Sequence, residues 1–207
     1  MHSGNIFSYN INYSEIGDLG LCQQVVDNKD ESNKIIGVIP YLAPEVLSRK
    51  PYTKESDIYS FGMIMWEHTT GKKPFYDRPH DHYLMIDILN GERPQITDDT
   101  PKFCADLMKR CWDRNPENRP TVQEIHDCLG EYYPNPIEEN QEIIKLAESK
   151  RQEIIKSDKF LLDTKNYKHH PGSFYTSRLL NESIQQAESL NTSSQNFSIS
   201  MITKDND

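Results

Sequence analysis

Residues 43–71 read APEVLSRKPYTKESDIYSFGMIMWEHTTG, and the second half of that stretch decides the fold. From 54 to 70 the apolar positions Ile58, Phe61, Ile64, Met65 and Trp66 cover most of a helix's circumference, and Gly71 stops it. A helix that is apolar nearly all round is a buried one, so the segment predicts the central helix of a helical body. Further helices are expected downstream. His82–Asn90 carries Tyr83, Met85, Ile86 and Leu89 at helical spacing and ends before Gly91. Pro101 starts another, with Phe103, Cys104, Leu107, Met108, Cys111 and Trp112 on one broad face. Pro120 is placed at the first turn of a last one, whose stripe of Val122, Ile125 and Leu129 stops at Gly130.

Upstream, Asn5–Tyr9 and Tyr13–Ile16 read as two short strands around a polar turn. The run DNKDESNK at 27–34 reads as an exposed loop. Beyond Tyr132 the composition changes. Residues 137–157 are compatible with a moderately amphipathic helix, and Asn181–Asp207, rich in Ser, Asn, Thr and Gln, is expected to be disordered. The division is therefore a body over 1–131 and a tail over 132–207.

Composition narrows the function. Residues 1–131 carry 14 Lys+Arg against 21 Asp+Glu, and residues 132–207 carry 9 against 11, so both parts are acidic. Such a chain lacks the basic surface that a phosphate backbone needs, which argues against nucleic acid as a partner. No apolar run reaches the roughly 18 residues of a membrane span, and no signal peptide is visible, so membrane insertion and secretion are not expected. The four cysteines, Cys22, Cys104, Cys111 and Cys128, include no Cys-x-x-Cys pair, as in a reducing, cytoplasmic setting.

Motifs carry the chemistry. Asn5 stands in His2-Ser3-Gly4-Asn5; Asp18-Leu19-Gly20 follows thirteen residues on; Ala43-Pro44-Glu45 closes a segment of 28 residues counted from Asp18. Asp57 through Gly62 and the pair Arg119-Pro120 come next in order. Each motif alone is a common turn or helix start, but their order and spacing resemble the C-terminal lobe of a protein kinase of the tyrosine-kinase-like group, over about residues 1–131.

The resemblance implies a mainly helical lobe with a small β hairpin at its start, a long activation segment, and a disordered or partly helical tail. It also implies ATP-dependent phosphoryl transfer to a protein hydroxyl, with a protein substrate and a signalling role. Asn5 and Asp18 become the ligands of magnesium on ATP, a hard cation that takes few protein oxygens beside phosphate and water. Gly20 lets the backbone reverse after the ligand; Leu19 stands where the family usually has Phe.

Glu45 and Arg119 become a buried ion pair tying the activation segment to the helical body. Asp57 matches the residue that hydrogen-bonds the catalytic-loop backbone, with a carboxylate complementing the helix macrodipole as the alternative. Glu67 is open between a substrate contact and a plain surface charge. Ser32 is the candidate phosphosite in the activation loop.

Departures are as informative. The family's general-base Asp falls five residues before Asn5, ahead of residue 1, so no catalytic base is assigned. The Gly-rich loop, the strand lysine and its helix glutamate have no counterpart in the 207 residues. The isolated chain is therefore expected to be inactive, as a part of a larger kinase. The alternative is a catalytically dead lobe that serves as an interaction module for another kinase or a scaffold. His2 and Val38 stand where serine/threonine kinases usually carry Lys and Thr, which leaves the acceptor residue open with a lean to Ser/Thr.

Overall fold

The central helix begins with a reciprocal cap. The Thr53 hydroxyl accepts from the Ser56 amide at 3.2 Å, and Ser56 Oγ accepts from the Thr53 amide at 3.0 Å. Helix α2 (Lys54–Thr70) then runs to Gly71, whose φ of 67° suits a residue without Cβ. A short helix precedes it, α1 (Pro44–Leu47). The computed structural model describes residues 1–10, 13–17, 34–132, 138–157 and 167–204.

Around α2 stand α3 (His82–Asn90), α4 (Lys102–Cys111) and α5 (Val122–Gly130). Asp81 caps α3 by accepting from the amides of Tyr83 and Leu84. The expected start of α5 is displaced by two residues: Pro120 lies outside the helix, and Thr121 caps it in a capping box with Glu124. The capping hydroxyl outcompetes the proline's preference for the first helical position because it satisfies a backbone donor.

One apolar cluster gathers Tyr59, Met63 and Trp66 of α2, Leu84, Met85 and Ile88 of α3, and Ile39, Tyr41 and Val46 of the chain just before and within α1. Each such side chain contributes about 1.5–3 kcal/mol on full burial. A second cluster joins Ile58, Leu107, Cys111 and Ile125 across α2, α4 and α5. Gly62 lets α2 and α4 close: a Cβ there would lie 2.8 Å from Cys111 Cβ.

The expected hairpin is present. Strand β1 (Ile6–Asn10) pairs antiparallel with β2 (Tyr13–Ile16), Ile6 opposite Ile16. The helix expected over 137–157 is α6 (Glu138–Lys156).

Asn181–Asp207 departs from expectation: residues Asn181–Lys204 form a helix, α7, rather than a disordered end. The reason is a sparse apolar stripe that bulk composition hides. Leu180, Ile184 and Ala187, each under 4% exposed, recur at helical spacing and sit in the main apolar cluster. Just before α7, β4 (Arg178–Leu179) pairs antiparallel with β3 (Ile36–Gly37).

The approach to β4 is held by the loop between α2 and α3. Tyr76 O accepts from the His170 amide at 2.8 Å, Gly172 O from the His80 amide at 2.8 Å, and Pro74 O from the Tyr175 hydroxyl at 3.0 Å. The buried His80 ring bridges the two segments. Its Nε2 lies 3.1 Å from Phe75 O, and its Nδ1 lies 2.9 Å from Phe174 O and 3.1 Å from Phe174 N.

Two predictions follow from this packing. Gly62→Ala overpacks the α2–α4 contact and should lower stability by about 1–3 kcal/mol in urea unfolding. Burial first, helped by the Arg178 charge and opposed by the Phe174 and Phe75 carbonyl oxygens and by Asp81, holds the His80 pKa below its ordinary 6.5. The unfolded chain therefore takes up a proton first. Stability present above about pH 6.5 is lost as pH falls toward the folded-state value, and His80→Asn should remove this component of the urea midpoint between pH 7.5 and 5.5.

Candidate active site and activation-segment clamp

The first residues form a 3-10 turn, Ser3–Asn5, capped by His2, whose Nδ1 accepts from the Gly4 amide at 3.1 Å. The turn delivers Asn5 to the base of the hairpin, where its backbone oxygen accepts from the Gly17 amide at 2.7 Å. Asn5 is 8% exposed, and its Oδ1 is buried with no hydrogen-bond partner among the described residues. A buried amide oxygen left unsatisfied costs about 1–3 kcal/mol, which a ligand-free fold would ordinarily avoid. An orphaned oxygen of this kind suits a hard cation. Asp18, Leu19, Gly20, Cys22 and Ser32 lie outside the described residues. The Gly17–Asn5 bond nonetheless brings the residue next to Asp18 against Asn5. Among the described residues no group of three His, Cys, Asp or Glu side chains gathers to hold a metal.

Glu45 and Arg119 come together from opposite ends of the lobe. Glu45 is carried by α1, where Pro44 occupies the first helical turn; Arg119 follows the 3-10 turn Pro116–Asn118. The guanidinium meets the carboxylate end-on, Nη1 to Oε1 at 2.6 Å and Nη2 to Oε2 at 2.8 Å. Their side chains are 0% and 7% exposed. Arg119 also donates to the backbone oxygens of Asp113 at 2.9 Å and Glu55 at 2.9 Å. One side chain thus joins α1, the first turn of α2 and the loop after α4. Beneath it lies the Tyr59 ring, with the guanidinium carbons of Arg119 and Arg93 at 5.3 and 5.0 Å from its centroid. Burial pushes the Tyr59 hydroxyl up to about 12.

Asp57 Oδ1 lies 3.5 Å from the Met1 amino nitrogen, so the first turn of α2 sits beside the 1–5 loop. Its side chain is largely exposed and belongs to the acidic first turn of the helix, the placement the macrodipole favours.

Glu67 is not a plain surface charge. Its Oε2 accepts from the Tyr41 hydroxyl at 2.5 Å and its Oε1 from Lys73 Nζ at 2.6 Å. Lys73 Nζ also donates to Ser3 Oγ at 2.8 Å, and Ser3 Oγ lies 3.3 Å from Tyr41 Oη. This closed ring of four side chains ties the 1–5 loop to the activation segment and to α2. Burial first, then the Glu67 carboxylate, drives the Tyr41 pKa far above its ordinary value, so Tyr41 stays a donor. Sequence reasoning assigned no role to Lys73, which belongs to no motif, or to Ser3, which was read only as a neighbour of Asn5, because only the tertiary fold brings them to Glu67.

A family model described as protein tyrosine and serine/threonine kinase matches residues 2–129. The chain belongs to the protein kinase family. Within the matched residues, helices α1 to α5 and the β1–β2 hairpin are consistent with the helical, C-terminal lobe of a kinase domain. Relatives agree. The chain is 35% identical over 132 residues to a putative mitogen-activated protein kinase kinase kinase 7-like protein of Drosophila melanogaster, covering 61% of this chain and 33% of that protein. It is 33% identical over 144 residues to receptor-interacting serine/threonine-protein kinase 4 of Mus musculus, covering 65% and 18%. With receptor-interacting serine/threonine-protein kinase 1 of Homo sapiens the figure is 33% over 157 residues, covering 67% and 23%. This kinase chain thus spans a third or less of the length of these relatives.

Removing either side of the clamp leaves the other charge buried alone. Arg119→Ala and Glu45→Ala should each destabilise the kinase lobe by about 3–5 kcal/mol in urea unfolding. The double variant Glu45→Leu/Arg119→Met should lose clearly less than the sum of the two.

Proposed function

We propose that this chain is the magnesium- and peptide-binding half of an ATP-dependent protein kinase that transfers a phosphoryl group to protein serine or threonine in signalling. The observation that carries the reading is Asn5. Its buried amide oxygen has no partner among the described residues, and its backbone oxygen accepts from the residue preceding Asp18, which supports a two-residue magnesium site on ATP. Bound magnesium would supply charge neutralisation on the phosphates. The chain's own residues do the positioning. Glu45 and Arg119 anchor the activation segment, Asp57 stands by the 1–5 loop, and Glu67 with Tyr41 and Lys73 fixes that loop against α2. Serine or threonine as acceptor is supported by relatives named as serine/threonine kinases. Ser32 remains the proposed activation-loop phosphosite.

The general base and the nucleotide-clamping lobe are assigned to residues outside this sequence, so the 207-residue chain alone is inactive in this reading. A protein substrate is implied, and a second kinase or a scaffold is the further partner class. A cytoplasmic location goes with the ATP use that this reading implies. Among the described residues no helix is long and apolar enough to cross a membrane.

The test joins the chain to an upstream half bearing a Gly-rich loop, the strand lysine and a His-Arg-Asp loop. The joined protein should show a magnesium-dependent rise of several degrees in Tm with ATP, lost in Asn5→Ala and in Asp18→Ala, whereas the 207-residue chain alone shows none. A joined protein that ignores ATP, or responds equally with Asn5→Ala, contradicts the reading.

A further inference from the structure

Strand β3 lies in the activation segment eight residues ahead of Glu45, and the chain's own tail fills its hydrogen-bonding edge. Ile36 stands opposite Leu179 and Gly37 opposite Arg178. The pairing continues beyond the strand: Leu180 N donates to Ile35 O at 2.9 Å, and Ile35 N donates to Asn181 Oδ1 at 2.9 Å. Main-chain pairing at a sheet edge accepts any extended peptide, and side-chain pockets then select among peptides. Here the pocket holds Leu180, which is 1% exposed, while Leu179 beside it is 57% exposed. One residue ahead of the pairing, Ser177 Oγ lies 3.2 Å from His2 Nε2. His2 belongs to the loop that carries Asn5, and the resemblance places the proton-accepting carboxylate two positions ahead of His2. An exposed serine is thus held at the loop where an acceptor hydroxyl must be presented, in an extended backbone paired to the activation segment.

We propose that residues 176–181 are a strap occupying the acceptor-peptide track in cis, with Ser177 in the acceptor place, and that they exclude protein substrates until released. The proposal rests on the kinase reading above and adds its regulation and its substrate class: an extended peptide with a hydroxyl residue, then an apolar residue three positions on. Three further sets of contacts hold the strap. Arg178 Nη2 donates to His80 O at 2.5 Å, with its guanidinium carbon 4.6 Å from the Phe174 ring centroid. Arg49, outside the track, donates to Glu188 Oε1 at 2.8 Å on the first turns of α7. Ile184 and Ala187 fix α7 in the core. A tethered segment competes at an effective concentration on the order of millimolar, so a free peptide of equal intrinsic affinity is strongly disfavoured while the strap is seated.

The experiment measures fluorescence anisotropy of a labelled peptide, SFYTSRLLNESIQ (residues 173–185), on the 207-residue chain without nucleotide. Leu180→Asp in the chain should unseat the strap and tighten peptide binding at least tenfold over the unmodified chain, and the same substitution in the peptide should abolish binding. Asn181→Ala, which leaves the core intact, should tighten it a few-fold and decides the matter if Leu180→Asp fails to fold. The His2 ring nitrogen resonance, shifted on release, should return with the added peptide but not with its Ser177→Ala form. Equal binding to the unmodified chain and the folded variants, or no binding to any of them, overturns the strap. A His2 signal indifferent to the peptide's serine removes Ser177 from the acceptor place. None of these readouts requires phosphoryl transfer, so they stand or fall separately from the nucleotide test.

Discussion

The buried pairing of Arg119 with Glu45 is the interaction on which the rest of the lobe depends. It is worth little as a net stabiliser, because two charges must leave water for each other's company. Its value is positional. A guanidinium offers five donors in a fixed plane, and here it satisfies both carboxylate oxygens and two backbone carbonyls at once. No apolar pair of similar volume would set the orientation of α1 against both α2 and the loop after α4. With α1 fixed, the chain running into it, Val38 to Leu42, is fixed as well. Tyr41 then meets Glu67, and β3 presents its edge to the tail.

A chain of polar contacts runs from the middle of α2 through the activation segment to the 1–5 loop. Ser60 Oγ donates to Tyr41 O at 2.8 Å, Tyr41 donates to Glu67, and Lys73 links Glu67 to Ser3, two residues from Asn5. Buried polar networks of this kind are expensive when half satisfied and specifying when complete. The ring is closed, whereas Asn5 Oδ1 and the Tyr59 hydroxyl are the buried side-chain oxygens left without a partner among the described residues.

Much of this architecture was legible from residue order. The buried character of α2 followed from an apolar pattern on every side, and Gly71 and Gly91 marked two helix ends where the backbone takes positive φ. Glu45 and Arg119 were legible as partners through the family resemblance alone, since 74 residues separate them and no local spacing connects them. The last helix of the tail was not legible. Three apolar residues among Ser, Asn and Gln give a weak average signal, and only tertiary contact with α3 reveals them as a docking stripe. Lys73 was hidden for a related reason: lysines after a helix-stopping glycine are common, and what Lys73 does depends on what lies across from it.

Hydrogen exchange in the Arg119→Lys variant puts the central dependence to the most direct test. A lysine keeps the charge but cannot grip both carboxylate oxygens. If the clamp seats the activation segment, the Tyr41 and Leu42 amides, bonded to Val38 O and Ile39 O, and the Leu180 amide, bonded to Ile35 O, should lose protection together and by the same factor. The Ile88 amide in α3 should be spared. Unchanged protection at Tyr41 and Leu180, or loss spread evenly over α2 and α3, would show that the pair is an ornament of the fold rather than its seat.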